Sequence, residues 1–195
     1  MKELRFGISA AVVLVALAAG CKKADVSQSS AMSAAKEGRP SERPLVEAVP
    51  VPPESRDFIV KAAQGNLLEI ALGRLALARG ASPAVREFGM RLVADHSQAY
   101  GELRQLAAKR GVHLPSEPSP SDKMMIQSMA GLVGRAFDRA FADHMVQDHE
   151  RAIADFRRAS RELRDPELRE WAAKMVPVLE SHLAQAKQVK AAVDR

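Results

Sequence analysis

From residue 57 to the C-terminus, apolar side chains recur every three or four positions, the spacing of helices that bury one face. Three stretches break the pattern: Gly80-Ala81-Ser82-Pro83, Gly111 through Pro120, and Arg164-Asp165-Pro166. The spacing predicts long helices over 57–79, 83–110, 134–163 and 166–193, with a shorter helical piece over 121–132 in the longest connection. Ser82 and Asp165 each stand directly before a proline, so each is expected as a helix N-cap with Pro at the first helical position. Ser82-Pro-Ala-Val-Arg-Glu-Phe88 is echoed by Asp165-Pro-Glu-Leu-Arg-Glu-Trp171, which makes each half a helical hairpin of related design. The expected fold is all-α: a four-helix bundle of two hairpins joined by a long crossover, as in ferritin-like folds. Pro177, inside the last predicted helix, removes one backbone donor and crowds the carbonyl of Ala173, so a bend is expected there.

Composition narrows the picture. The chain has 195 residues, 47% hydrophobic but only 4% aromatic, so its apolar content lies in good helix formers and not in the aromatic and β-branched residues of sheets. The 29 basic and 24 acidic residues are interleaved, and the net charge of +5 is too weak and mixed for a nucleic-acid-binding surface. A single cysteine, Cys21, excludes an intrachain disulfide or a thiolate metal cage.

The N-terminus follows different rules. Lys2 and Arg5 precede an apolar run from Phe6 to Ala19, and Gly20 stands before Cys21. This is the layout of an export signal. The run of about 14 residues is shorter than the roughly 20 that a spanning helix needs. Leu17-Ala18-Ala19-Gly20-Cys21 resembles the lipobox of bacterial lipoproteins, with Ala18 where the motif prefers Leu. That resemblance implies a signal peptide over 1–20, a lipidated Cys21 as mature N-terminus and, with Lys22 next, an address at the outer membrane. Residues 21–56 carry five of the eleven prolines and a Ser-rich stretch, the composition of a disordered tether. The bundle is therefore expected over 57–195, held in the periplasm by a lipid anchor.

Polar groups interrupt each helical stripe once. They are Glu69 in the first helix, His96 in the second, His149 in the third and His182 in the fourth, each flanked along its stripe by apolar or small residues. Glu69 and His96 lie about 13 residues from the Pro83 turn, roughly 20 Å along an axis, while His149 and His182 lie about 16 residues, roughly 24 Å, from the Pro166 turn. All four fall near mid-height, so they can meet at one level of the core. A buried ionised Glu is costly unless it is paired or bound to a cation, and neutral imidazole with carboxylate suits Zn, Fe, Mn, Ni or Cu. The four are accordingly expected to ligate one divalent transition metal ion. A hydrogen-bond network that sets bundle register is the competing reading. Asp95 and Asp148, each next to a candidate His, are candidates to orient imidazoles. His144, one turn before Asp148, is expected as an exposed pair with it, and His113 lies in a loop. Met124, Met125 and Met129 are expected as core filler.

The segments Leu68-Glu69-Ile70-Ala71, Leu92-Val93-Ala94-Asp95-His96, Met145-Val146-Gln147-Asp148-His149 and Pro177-Val178-Leu179-Glu180-Ser181-His182-Leu183 resemble a family of uncharacterised exported bacterial proteins with a ferritin-like domain. The resemblance covers about residues 57 to 193 and aligns the Glu and the three His with that family's polar core positions. The family carries a domain-of-unknown-function label, so it implies a fold and no activity. The chain departs from di-iron enzymes of that fold: the residues three before His96 and His182 are Val93 and Leu179, where Glu-x-x-His is needed. With no nucleophile elbow, phosphate loop or further acid–base group in view, no catalytic residue is assigned. The expectation is a lipid-anchored envelope protein that binds a metal for storage, sensing or protection, the alternative being a non-metallated structural or interaction module.

Overall fold

The computed structural model describes residues 51–195; the expected signal peptide, the lipidation site at Cys21 and the linker through residue 50 lie outside them. Five helices follow in order: α1 (Pro53–Arg79), α2 (Pro83–Lys109), α3 (Pro120–Ala130), α4 (Gly134–Glu162) and α5 (Pro166–Val193). Among the described residues there is no strand. The protein is an all-α helical bundle. None of these helices is long and apolar enough to cross a membrane.

The helix starts show why these residues fold where they do. Pro53 opens α1 with Pro52 as its N-cap, four residues before the expected start, because a proline at the first position loses no bond that an interior residue would have made. Asp165 caps α5 as expected, its carboxylate accepting from the Leu168 N–H at 3.1 Å. Ser82 holds the N-cap position of α2, but its side chain makes no capping bond. Asp138 of α4 instead holds the turn just before the helix, accepting from the backbone N–H groups of Ala81 and Ser82 at 3.0 and 2.8 Å. α3 begins with a capping box between Ser119 and Asp122. α5 runs without a break through Pro177.

α1 pairs with α2 and α4 with α5, and the two hairpins meet along α2 with α5 and α1 with α4. Within the first hairpin Gly73 and Gly89 permit close approach: a Cβ on Gly73 would stand 2.7 Å from the Gly89 carbonyl oxygen. Two end contacts establish the topology. The α1–α2 turn lies against the start of α4 through Asp138, and the end of α2 lies against the α4–α5 turn through Arg110, whose Nε donates to Asp165 Oδ2 at 2.6 Å. α2 and α4 therefore run in the same direction, and the connection containing α3 returns along the bundle between them.

The core has two apolar halves. One gathers Leu72, Phe88, Leu92, Phe137, Phe141 and Met145 near the α1–α2 turn, and the other gathers Ile59, Ala99, Leu103, Leu168, Trp171 and Met175 near the α4–α5 turn. Met129 joins the first half, but Met124 and Met125 are solvent-facing, because α3 lies outside the four long helices and buries one side only. Between the halves, every long helix contributes a polar side chain.

Candidate metal centre

Glu69 from α1, His96 from α2, His149 from α4 and His182 from α5 are all buried, with exposures of 3, 5, 1 and 0%. The mid-height placement expected from the spacing puts three of them together. The ring centroids of His96, His149 and His182 are 5.3 to 6.1 Å apart, and one candidate ligand atom from each lies within 4.8 Å of the other two. Phe88 closes the layer on one side, its ring 6.4 Å from His149 and 6.2 Å from His182.

Each imidazole has one nitrogen engaged and one free. His96 Nδ1 is 2.9 Å from Asn66 Oδ1, and the Asn66 amide is itself oriented, since its Nδ2 donates to the Ala62 carbonyl at 2.8 Å. His149 Nδ1 is 2.9 Å from the Met145 carbonyl, and His182 Nε2 is 2.7 Å from Asp95 Oδ2. All three partners are acceptors, so the engaged nitrogen of each ring carries the proton. The other nitrogens, His96 Nε2, His149 Nε2 and His182 Nδ1, are left with bare lone pairs, and none has a hydrogen-bond partner. Orientation of the far ring edge by a carboxylate, a carbonyl or an amide oxygen is how proteins present imidazoles to a metal.

Electrostatics keep these rings neutral. Burial lowers the pKa of His96 well below its ordinary value, the neighbouring His182 and His149 adding to the effect, and burial pushes His149 down to about 4. His182 is lowered by burial too, against the opposing influence of Asp95. Neutral imidazole is the form that binds metal.

Glu69 stands outside the convergent trio. Its Oε1 is 3.7 Å from His149 Nδ1, the edge of the ring already directed at Met145, and its Oε2 has no partner. The convergent set is thus the three histidines and not all four expected ligands, because Glu69 approaches His149 from behind. Burial first, and then the carboxylate of Asp148, raises its pKa well above the ordinary value. Asp95 does orient an imidazole, but that of His182 on the adjacent helix. Asp148 pairs with Arg151 at 3.0 Å. His144 is half-buried and not exposed, with an unpartnered Nε2, because the α4 face that carries it is partly covered. Asn66 escaped the sequence reading. Its one signal is a helix-disfavoured amide one turn before Glu69.

The family described as Domain of unknown function (DUF4142) matches residues 41–189. The chain belongs to the DUF4142 family. A solved structure, a DUF305 fragment from Deinococcus radiodurans, is similar at a TM-score of 0.63 and 16% identity, over 73% of this chain and 99% of that one. At that identity the likeness speaks for the fold alone. No curated protein matches the chain. For this DUF4142 chain the chemistry must therefore be read from the trio itself: three clustered imidazoles, each with one nitrogen engaged and one bare.

Proposed function

We propose that the DUF4142 bundle binds one divalent transition metal ion through His96 Nε2, His149 Nε2 and His182 Nδ1, in the service of metal storage, sensing or protection. The observation that carries this reading is a mismatch in hydrogen-bond bookkeeping. Three buried acceptor lone pairs, one on each ring of a trio whose candidate ligand atoms lie within 4.8 Å of one another, have no hydrogen-bond partner, and a buried acceptor left unsatisfied costs about 1–3 kcal/mol. A single water molecule has only two hydrogens to donate, so it can satisfy two of the three. A cation satisfies all three together. A pure hydrogen-bond network of the same residues would need one ring to turn its proton inward, and each ring's proton is already held by Asn66, Met145 or Asp95.

The ligand type narrows the ion without naming it. Imidazole suits Zn, Cu, Fe and Ni, and metal–nitrogen bonds of about 2.0–2.1 Å would draw the three nitrogens closer by modest side-chain rotations. Three protein ligands leave a further coordination position, the pattern of an exchangeable or reactive site more than of a sealed structural one. The ferritin-like topology inferred from the sequence agrees with a ligand set placed in the middle of a bundle.

The deciding experiment is elemental analysis and metal titration of the purified domain. Stoichiometric binding of one of Zn, Fe, Mn, Ni or Cu is expected. Binding of none of them, with melting indifferent to chelator, overturns the reading. We further propose that the bundle is exported and held at the outer membrane by a lipid on Cys21. The lipobox-like segment supports this, and release of Cys21→Ser from the membrane fraction is its test.

A further inference from the structure

Two clefts reach the polar layer from opposite sides. The one between α2 and α5 is lined by Asp95 and Pro177, and it reaches the layer only through Asp95, whose Oδ2 is already bonded to His182 Nε2. The other, about 300 Å³ between α1 and α4, is lined at its deep end by Glu69, Asn66 and His96. Only this second cleft is lined by residues with orphaned polar atoms, Glu69 Oε2 and His96 Nε2.

Its carboxylates are graded in depth. Asp155 has a side chain 40% exposed, Asp148 24% and Glu69 4%. Asp148 and Asp155 are seven residues apart on α4, two turns along one face. Two cations also line the cleft, but both are largely in solvent: Lys61 lies 3.8 Å from Asp155 and Arg151 3.0 Å from Asp148. Exposed pairs of this kind contribute about 0–1 kcal/mol, so an arriving divalent ion can displace them readily. No cation lines the deep end.

Gly65 of α1 lines the same cleft, and a Cβ built there meets nothing within 4 Å. A glycine inside a helix costs roughly 0.5–1 kcal/mol relative to alanine. No close helix approach requires it, in contrast to Gly73 and Gly89. What the missing side chain does is leave the cleft open.

We infer that the α1–α4 cleft is the route by which a divalent cation passes between solvent and the histidine trio, with Asp155, Asp148 and Glu69 as successive carboxylate stations. The inference rests on the metal reading above. A hydrated ion cannot enter a dry core without losing water, and the loss is costly unless oxygen ligands replace it step by step. Carboxylates at decreasing exposure do that, and Glu69, buried with Oε1 3.7 Å from His149 Nδ1 and Oε2 free, is the last before the imidazoles. This gives the fourth sequence-predicted residue a role of its own, in passage and not in the final ligand set.

The test is rapid-mixing kinetics of Co²⁺ with the full bundle, followed by the visible absorption of the cobalt–imidazole centre. In Asp148→Asn, association should slow by about tenfold, the low end of the rate gain that a charged cleft provides. In Gly65→Leu, whose side chain has room and whose helix gains propensity, association and dissociation should slow by the same factor while equilibrium affinity holds and the melting temperature does not fall. Rates within twofold of wild type in both variants overturn the route. So does a Gly65→Leu protein that loses affinity through faster dissociation. A wild type that develops no cobalt spectrum brings down the metal reading itself, and this inference with it, whereas a normal spectrum with unaltered rates brings down the route alone.

Discussion

Phe141 and His149 sit about two turns apart on α4, both sealed from solvent, and their surroundings differ in kind. Phe141 meets Phe88 edge-on at 6.0 Å and stacks on Phe137 at 5.8 Å. Its ring lies in the apolar cluster of that core half and carries no polar group that needs a partner. His149 has one nitrogen on the Met145 carbonyl and the other without a partner, in a cluster with two more imidazoles that each have a bare nitrogen. The apolar halves gather hydrophobic side chains, whereas the layer between them holds buried polar atoms with no hydrogen-bond partner. Burial alone does not separate the two regions; satisfaction of polar groups does. The stability of the one should therefore be indifferent to what is dissolved in the buffer, and that of the other should not.

The largest effect belongs to the apolar half. Phe141→Ala removes a fully buried ring and leaves a cavity, so it should destabilise by about 3–5 kcal/mol. Chemical denaturation should show that loss with and without chelator. A chelator-dependent loss of the same size would mean that the two regions are not separable.

Next in size is the contribution of the metal. An ion that binds the folded state alone stabilises it by RT ln(1 + [L]/Kd), about 2.7 kcal/mol at a hundredfold excess over Kd. Chelation should lower the melting temperature of the wild type, and His182→Ala should lower it too while abolishing the response to chelator. If His182→Ala keeps that response, the ion is bound elsewhere.

The metal-free protein should also report its buried imidazoles through pH. His149 is pushed down to about 4 by burial, against an ordinary value near 6.5. As the pH falls below about 6.5, the unfolded chain takes up a proton that the folded protein refuses until about 4. The stability due to a neutral His149 is thus full above about 6.5 and is lost progressively between there and about 4. His96 and His182 act in the same direction. Glu69, with its pKa raised, acts the other way, since its contribution fades as the pH rises above its ordinary value toward the raised one. Melting of the metal-free protein from pH 7 to 4, compared with His149→Leu, isolates the histidine: the variant should show a shallower fall. Parallel curves would show that the ring does not stay neutral.

Much of this was legible in the sequence, for reasons that also mark where legibility stopped. Helical spacing and the prolines at 83 and 166 located four long helices with ends within a few residues, because both signals are local. The stripes also brought Glu69, His96, His149 and His182 to one level, since height along a helix follows from residue count. Spacing does not say from which side a side chain arrives, so it could not distinguish Glu69, on the Nδ1 side of His149, from the three rings whose ligand atoms cluster. Asn66 and Asp138 went unread because their roles arise between helices: Asn66 serves an imidazole of α2, and Asp138 caps a turn 56 residues earlier in the chain. Asp95 was noticed beside His96, yet its partner His182 is 87 residues away.

The smallest expected effect makes the sharpest use of the comparison. His144, on α4 with His149, shares two properties with the trio: burial lowers its pKa, and one of its ring nitrogens, Nε2, has no partner. It differs in being half-buried and, decisively, in not belonging to the group whose ligand atoms come together. If an orphaned, partly buried imidazole were enough to recruit a metal, His144→Ala would weaken the response to chelator as His182→Ala does. If convergence is the requirement, the fall in melting temperature on chelation should match that of the wild type, and the substitution should cost little because the ring is only half-buried. Co²⁺ titration of His144→Ala alongside His182→Ala checks this directly. The first should retain the stoichiometry and spectrum of the wild type and the second should lose both. Equal losses in the two variants would show that any free histidine on this bundle binds the ion, and the polar layer would then hold no site of its own.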